Sequence, residues 1–380
     1  MVRSTTFLTI ISSSFLIYTS ALPINKPSPT ILTTIHNGLI TTKTRGVLAN
    51  ASPNYLPSFP YHGFKPLHPI PTGPIDISNR SSIIKRENYP EPWVQPDVNH
   101  PEVQAAINSI AWNHVPNFTP RTANMEYDVG HDEACWWTKS GCTTPKVQEL
   151  PMDTKYCKKI GDFGLTYDDG PLLPQSPEDV WGEPRLYDFL AKYNQTATLF
   201  YVGSNVVNFP EAAVRALQSG HTLCVHTWSH PLMTSLTSHE IVAQLYWTLR
   251  VIKEATGVTT RCWRPPYGDV DDRVRAIAHQ MGLSTILWDS DSFDWGLPSS
   301  ANGFSGTYTE EMIDGFFQQW IDDRKAGVDQ QGRIVLEHEA SNMTVAIAEK
   351  WLPELKSTFN VKRVHDCAPE LPNPYWELPI

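Results

Sequence analysis

Two stretches of this sequence carry carboxylates and imidazoles at spacings that suit a divalent metal ion. Asp168 and Asp169 stand side by side before a Gly-Pro pair, at the end of an apolar run. His226 and His230 follow at positions i and i+4, a spacing common among chelating pairs. One carboxylate with two neutral imidazoles would leave coordination positions free for water and substrate. A hydrolytic metal site requires such open positions.

Three further blocks add groups for acid, base or oxyanion chemistry. Two prolines precede Tyr267, so its backbone N–H is the first free donor there and suits an oxyanion hole, while Arg264 suits a bidentate contact with a carboxylate. Acids beside aromatics follow at 289–295, and His338 ends a later apolar run. Each block alone is explained as well by a turn, a proline loop or a buried histidine. Their combination is what indicates a site.

The blocks fall at the ends of predicted β-strands. From about Gly161, β-rich runs alternate with helical patterns, which predicts parallel βα units in a barrel or a doubly wound sheet. In a βα barrel, the chemistry lies at the carboxyl ends of the strands. The predicted strands are 163–167, 197–202, 222–226, 261–264, 284–288, 333–338 and 361–364. The predicted helices are 184–193, 210–219, 238–255, 271–281, 309–322 and 343–355.

Composition limits the class of protein. The 380 residues are 41% hydrophobic and 11% aromatic, which suffices for a large core. The net charge of -10 argues against nucleic acid as the main partner. No apolar run of membrane-spanning length follows the N-terminus, and no hydrophobic tail ends the chain, so we expect no membrane anchor.

The N-terminal third has the pattern of a secreted precursor. Residues 1–21 have a basic start, an apolar stretch and small residues before Ala21, as in a secretory signal peptide. Residues 22–120 hold 16 of the 32 prolines and are expected to form an extended leader or linker. Lys85-Arg86 is a candidate processing site, although two solvated charges explain the pair equally well. We expect a pre-barrel segment at 121–155, a catalytic domain at 156–367 and a tail at 368–380.

Glycosylation signals and cysteines agree with secretion. An even set of six cysteines in an oxidising compartment predicts disulfides. Five Asn-x-Ser/Thr sequons beside a signal peptide indicate a glycosylated protein, secreted to the exterior or the cell wall. The candidate asparagines are Asn50, Asn79, Asn117, Asn194 and Asn342.

Five blocks in order make a family resemblance. TYDDGP, HTWSH, RPPYGD, DSFDW and LEH, between about Leu165 and Glu339, resemble the polysaccharide deacetylase family, carbohydrate esterase family 4. The wording VHTWSH and RCWRPPYGD is similar to that of the fungal chitin deacetylases within it. The resemblance covers roughly residues 155–367 and leaves out the Pro-rich leader. It implies a distorted (β/α) barrel with about seven parallel strands in a single catalytic domain.

The resemblance also implies a metal site and its neighbours. Asp169, His226 and His230 would bind one divalent ion, zinc or cobalt. Asp168 would be the general base. Tyr267 would donate its backbone N–H to the oxyanion and help to position acetate.

The remaining roles concern the second proton-transfer group and the acetyl pocket. His338 would be the general acid, tuned by one acid of the DSFDW block, preferably Asp291. Arg264 would orient Asp168. Trp295 and Leu336 would form the apolar wall for the acetyl methyl group.

The implied reaction is metal-dependent hydrolysis of N-acetyl groups in chitin, giving chitosan and acetate. A monomer acting on chitin or its oligomers, without nucleic acid, is expected. An O-acetyl esterase acting on xylan and a catalytically silent cell-wall binder are the alternatives. One departure from the family pattern is Glu339, which stands where Asp often follows the final histidine.

The positions of the cysteines suggest a pairing. Cys224 and Cys262 lie on consecutive predicted strands, each two residues before a motif residue, although they are equally compatible with buried free thiols. Cys157 and Cys367 bracket the catalytic domain and would tie its ends together. Cys135 and Cys142 are close enough to close a small loop.

Overall fold

The computed structural model describes residues 32–36, 39–43, 55–57, 84–122, 124–171, 185–298 and 306–377. The predicted signal peptide and the sequons at Asn50 and Asn79 lie outside these ranges. The chain divides into two units, Met1–Arg45 and Gly46–Ile380. In the first unit, strands β1 (Leu32–His36) and β2 (Leu39–Lys43) pair as an antiparallel hairpin.

The second unit alternates strands and helices along most of its length. Its strands are β3 (Asp162–Gly170), β4 (Thr198–Tyr201), β5 (Thr222–Val225), β6 (Cys262–Trp263), β7 (Ser284–Thr285), β8 (Ser290–Asp291), β9 (Arg333–His338) and β10 (Asn360–Lys362). Its helices are α1 (Pro101–Ser109), α2 (Trp137–Ser140), α3 (Arg185–Lys192), α4 (Gly203–Asn208), α5 (Pro210–Gln218), α6 (Ser238–Thr256), α7 (Asp272–Gln280), α8 (Glu310–Ala326), α9 (Asn342–Thr358) and α10 (Val364–Cys367). Each predicted strand and helix overlaps one of these elements. The sequence missed β8, α1, α2, α4 and α10.

All neighbouring strands of the large sheet are parallel. Their order is β7-β6-β5-β4-β3-β9-β8, and β10 pairs with the first half of β3. The two edge strands, β7 and β8, are separated by only four residues of chain, so their facing ends lie no more than roughly 18 Å apart. The sheet must therefore curve until its edges approach each other, yet no ladder joins them among the described strands. This incomplete barrel confirms the predicted distorted barrel of about seven strands.

The core elements follow from ordinary sequence signals. Helix α6 begins with a capping box formed by Thr237 and Glu240, and it ends at Gly257, which adopts a left-handed φ of 80°. The strands have buried residues on both faces, as expected for a parallel sheet covered by helices. Parallel pairing also aligns their carboxyl ends. Asp168 of β3 lies opposite His338 of β9, so the predicted site residues gather at one rim of the barrel.

Residues 84–120 belong to this packed unit, which corrects the expectation that residues 22–120 are only an extended leader. Helix α1 starts with a proline in its first turn, where the missing N–H is unimportant, and it packs on α6. Val103, Ala106 and Ile107 of α1 join the hydrophobic core. The prediction was wrong because it rested on the high proline content. Proline is unfavourable inside a helix, but it is tolerated in the first turn of a helix and in packed turns.

The three predicted disulfides are all present: Cys135–Cys142, Cys157–Cys367 and Cys224–Cys262. The alternative of free thiols at Cys224 and Cys262 is therefore wrong. The sequon residues Asn117, Asn194 and Asn342 are exposed, and their glycosylation stays a prediction. Within the described part of the chain, no helix is both long and apolar enough to cross a membrane.

Two N-terminal truncations should separate the leader from the packed unit. A chain beginning at Glu87 loses the core residues Tyr55, Leu56 and Ile84 but keeps α1, so it should fold with a reduced melting temperature. One beginning at Arg121 should be far less stable, because it also loses α1. Burial of Val103 and Ile107 alone is worth ~1.5–3 kcal/mol each, a large part of the ~5–15 kcal/mol that stabilises a typical protein. Thermal unfolding of the two secreted chains measures the difference. Equal melting temperatures would show that residues 87–120 are dispensable.

Candidate metal centre and active site

A cleft of about 780 Å³ opens at the carboxyl rim of the barrel. It is the place where the predicted site residues meet. All of them except Arg264 line the cleft, and Arg264 lies fully buried beneath it. The lining residues from the prediction are Asp168, Asp169, His226, His230, Tyr267, Asp291, Trp295, Leu336 and His338.

A compact group of possible ligand atoms is formed by the side chains of Asp169, His226 and His230, which we call the metal group. Asp169 Oδ1 lies 3.4 Å from His226 Nε2 and 3.2 Å from His230 Nε2. The three ligand atoms lie within 4.8 Å of one another. Ligands bound at ~2.0–2.1 Å in tetrahedral geometry lie about 3.3 Å apart, close to the two carboxylate–imidazole distances here.

The protonation of these groups also fits a cation. His226 Nδ1 lies 2.8 Å from the carbonyl oxygen of Arg264, which can only accept, so the proton is on Nδ1 and the Nε2 lone pair faces Asp169. Asp169 Oδ1 is buried without a hydrogen-bond partner. A buried carboxylate oxygen left in this way is costly unless a cation satisfies it. The three residues therefore fit a divalent metal ion.

The backbone that carries the ligands is held in an uncommon conformation. Asp169 and His230 have left-handed φ values of 70° and 57°, which few non-glycine residues adopt. Asn205 Nδ2 donates to the carbonyl of Asp169 at 2.8 Å, and the His230 N–H donates to Thr227 Oγ1 at 3.1 Å. These contacts aim both side chains into the cleft. Asn205 lies on α4, a helix that the sequence analysis did not predict.

Asp168 is fixed by a buried ion pair. Its Oδ1 accepts from Arg264 Nη1 at 2.7 Å, as predicted, and both side chains are almost fully buried. The same nitrogen donates to Thr166 Oγ1 at 2.8 Å, while Arg264 Nη2 donates to the carbonyl of Leu287 at 3.1 Å. The guanidinium therefore cannot rotate freely. Asp168 Oδ2, its other oxygen, points to the metal group and lies 3.8 Å from His226 Nε2.

The acid that holds His338 is Asp294, and the preference for Asp291 is wrong. Asp294 Oδ1 lies 2.7 Å from His338 Nδ1, and Asp294 Oδ2 accepts the His338 backbone N–H at 2.8 Å. Asp291 instead accepts the backbone N–H of Phe293 at 2.8 Å. The left-handed φ of 59° at Phe293 turns the chain between these two acids, and no feature of the DSFDW block alone reveals this turn.

This contact keeps His338 protonated. Burial by itself would lower the pKa of the imidazole, but the Asp294 carboxylate, with smaller contributions from Asp169 and Asp168, raises that pKa to about 10. Asp294 also fixes the ring, because Nδ1–H is the donor to it. His338 therefore presents Nε2 as a proton donor at neutral pH.

Tyr267 lies on the loop after β6, directly after the two prolines. Its φ of 58° is left-handed, and its ring packs edge-on against His230, with the centroids 4.6 Å apart. Asp269 fixes this loop, since its two oxygens accept from the side chains of Trp136, Thr138 and Thr234 at 2.7–2.8 Å. The final Asp of the RPPYGD block is thus a structural residue, a role that the motif alone does not reveal.

Glu339 closes the base of the cleft next to β3. A Cβ at Gly170 would lie 1.9 Å from Glu339 Oε1, so only glycine fits beside this carboxylate. Tyr187 donates to the same oxygen at 3.0 Å. The longer side chain of Glu, where Asp often stands in the family, thus reaches a buried tyrosine.

Known proteins with similar sequences belong to one enzyme family. The model of the polysaccharide deacetylase family matches residues 155–286. A chitin deacetylase of Amylomyces rouxii is 39% identical over 287 residues, covering 73% of this chain and 64% of that protein. Chitin deacetylase 2 of Saccharomyces cerevisiae is 31% identical over 245 residues, covering 64% of this chain and 68% of that protein.

The chain belongs to the polysaccharide deacetylase family. The fold agrees: the structure of the chitin deacetylase from Colletotrichum lindemuthianum superposes with a TM-score of 0.50 at 24% identity, covering 60% of this chain and 96% of that one. The chain spans 64% and 59% of the lengths of the first two relatives that it matches. The family model ends at residue 286, so Asp294 and His338 lie outside the matched segment.

The distinction between the two acids can be measured directly. Asp294→Asn should lower the pKa of His338 by about one to three pH units, because it removes the adjacent negative charge. Asp291→Asn is the matched control and should change the pKa less, since the ion pair remains. NMR titration of the His338 imidazole in the zinc-loaded protein measures both. A larger shift in the Asp291 variant would contradict the assignment.

Proposed function

We propose that this protein hydrolyses the N-acetyl groups of N-acetylglucosamine units in chitin and releases acetate and chitosan. The observation that carries the proposal is the arrangement of Asp168 and His338 beside the Asp169–His226–His230 group in one cleft. A base, an acid and a metal-binding group at one point are what amide hydrolysis needs. The names of the relatives, which are chitin deacetylases, support chitin as the substrate.

Asp169, His226 and His230 would hold one divalent ion, either zinc or cobalt. When bound, the ion would polarise the amide carbonyl and lower the pKa of a water molecule. Asp168, oriented by Arg264, would accept a proton from the attacking water molecule as the water oxygen bonds to the carbonyl carbon. The backbone N–H of Tyr267 would stabilise the negative charge on the former carbonyl oxygen.

His338 completes the reaction at the nitrogen. An amine is a poor leaving group, so the C–N bond breaks as His338 Nε2 donates its proton to the nitrogen. The raised pKa of about 10 keeps that proton available. Proton exchange with solvent then restores both groups. Trp295 and Leu336 line the cleft and would form the apolar wall for the acetyl methyl group.

We further propose that the protein acts outside the cell or in the cell wall, as a monomer. The three disulfides favour an oxidising compartment. The signal peptide and the cleavage after Lys85-Arg86 stay predictions. Cleavage there would keep α1 on the packed unit but would remove Tyr55, Leu56 and Ile84 from its hydrophobic core. N-terminal sequencing of the secreted chain tests this, and a start near Leu22 would exclude processing at the dibasic pair.

Acetate release from a chitin tetramer tests the activity. The purified secreted protein should release acetate, lose activity on chelation and regain it with zinc or cobalt. Asp168→Asn, which is nearly isosteric, should reduce the rate by ~10²–10⁴-fold, since it removes the general base. The variant should still bind zinc, because Asp169 and both histidines remain.

Two outcomes would redirect the proposal. Release of acetate from acetylxylan but not from the chitin tetramer would indicate an O-acetyl esterase. Binding of chitin without turnover in any metal-loaded form would indicate a silent cell-wall binder. Activity that persists after complete removal of the metal would overturn the role given to Asp169, His226 and His230.

A further inference from the structure

Partly exposed aromatic side chains surround the cleft. Trp93, Trp295 and Tyr267 line it while remaining 51%, 47% and 58% exposed. Large apolar side chains at the mouth of a pocket indicate a surface that a ligand covers. Trp295 and Tyr267 belong to the motif blocks and have roles in the proposed reaction. Trp93 does not, since it comes from residues 84–120, which contain none of the five motif blocks.

The backbone at Trp93 is held in place. Its φ of 66° is left-handed, and its backbone N–H donates to Ser204 Oγ at 2.7 Å. Ser204 is fully buried on α4, and its hydroxyl donates in turn to the carbonyl of Trp228. A tryptophan does not adopt such a backbone conformation without these restraints. The fold therefore fixes the backbone from which the Trp93 side chain reaches the cleft.

The segment around Trp93 is joined to the loop that carries the histidine ligands. We name residues 89–95 the strap. The ring of Tyr89 stacks on Trp228, with centroids 6.1 Å apart and planes 5° from parallel, and Trp228 Nε1 donates to the carbonyl of Glu91 at 3.2 Å. Gln244 donates to Gln95 Oε1 at 2.8 Å. Trp228 lies between His226 and His230 in the chain, so the strap and the metal group form one structure.

We propose that Trp93 is a platform on which a sugar ring next to the reacting N-acetylglucosamine stacks. This inference rests on the proposed function. Sugar rings of the chitin type carry their hydroxyl and amide groups around the edge, which leaves an apolar C–H face. A tryptophan offers a large apolar surface to that face and, with only two side-chain torsions, loses little conformational freedom on binding.

Because of its position in the cleft, Trp93 would contact a sugar that neighbours the reacting one in the same chitin chain. Trp93 lines the cavity that contains Asp169, His230 and His338, so a ring stacked on it is continuous with the ring whose acetyl group reacts. Contacts remote from the reacting bond help to orient it, and therefore truncated substrates lose rate as well as affinity. Trp93 is in this view a residue that determines specificity for chain length.

Chain-length dependence tests this. Acetate release from the chitin dimer and tetramer should be compared for the wild type, Trp93→Ala and Trp93→Phe in the zinc-loaded protein. In Trp93→Ala, kcat/KM for the tetramer should fall about tenfold, which corresponds to the loss of one stacked ring, and the preference for tetramer over dimer should shrink. Trp93→Phe should restore most of the preference.

Val94→Ala is the matched control. Val94 is adjacent on the strap and 53% exposed, but it does not line the cleft, so its variant should behave as the wild type. An unchanged chain-length preference in Trp93→Ala would overturn the proposal. An equal loss on dimer and tetramer, together with weaker zinc binding, would also overturn it, because the strap would then act through the metal loop.

Calorimetric binding of the chitin tetramer separates this inference from the proposed function. Suppose that the wild type binds the tetramer without releasing acetate, and that Trp93→Ala weakens this binding about tenfold. The role proposed for Trp93 is then supported, and the proposed deacetylation of chitin is wrong. If the wild type releases acetate and Trp93→Ala binds and reacts normally, the platform alone fails. If the wild type neither binds nor turns over the tetramer, both fail.

Discussion

The buried guanidinium of Arg264 is the constraint on which the rest of the site depends. A buried charge is destabilising unless it is paired and hydrogen-bonded, and Arg264 is paired with Asp168. Its remaining donors bind Thr166 on β3 and the carbonyls of Ile286 and Leu287, which lie on the link between the two sheet edges. Its own carbonyl sets the tautomer of His226. One residue thus orients Asp168, fixes the ring of His226 and contacts the link between the two edges of the unclosed barrel.

Around this centre, each reactive group has a different partner, and the partners set different protonation states. Burial by itself would raise the pKa of Asp169, but the neighbouring imidazole of His230 outweighs that effect and holds the pKa well below its usual range. Asp294 holds a proton on His338. Burial alone would disfavour the charged form of both side chains, so their neighbouring charges are what keep Asp169 ionised and His338 protonated. This separation of roles is what acid–base chemistry at one pH requires.

The N-terminal segment extends the site beyond the barrel. Strap residues contact Trp228, which lies between His226 and His230, and Trp93 of the strap lines the cleft. A part of the chain without any motif block therefore forms part of the cleft surface. Loops outside the conserved scaffold commonly carry specificity, because they can vary without changing the strands that hold the reactive groups. The barrel and the strap together place the metal group at the base of the cleft and aromatic surfaces at its mouth.

The sequence by itself indicated reactive residues at the ends of parallel strands, a carboxylate and two histidines suited to a metal ion, and the disulfides, because these depend on residue type, spacing and the alignment of strand ends. Its resemblance to the polysaccharide deacetylases implied the Asp168–Arg264 pair. Only the tertiary structure decided between Asp291 and Asp294, because a left-handed residue turns the chain between them. It also placed Trp93, whose position depends on hydrogen bonds to residues more than a hundred positions away. Periodicity and composition carry local information, and contacts of this kind are not local.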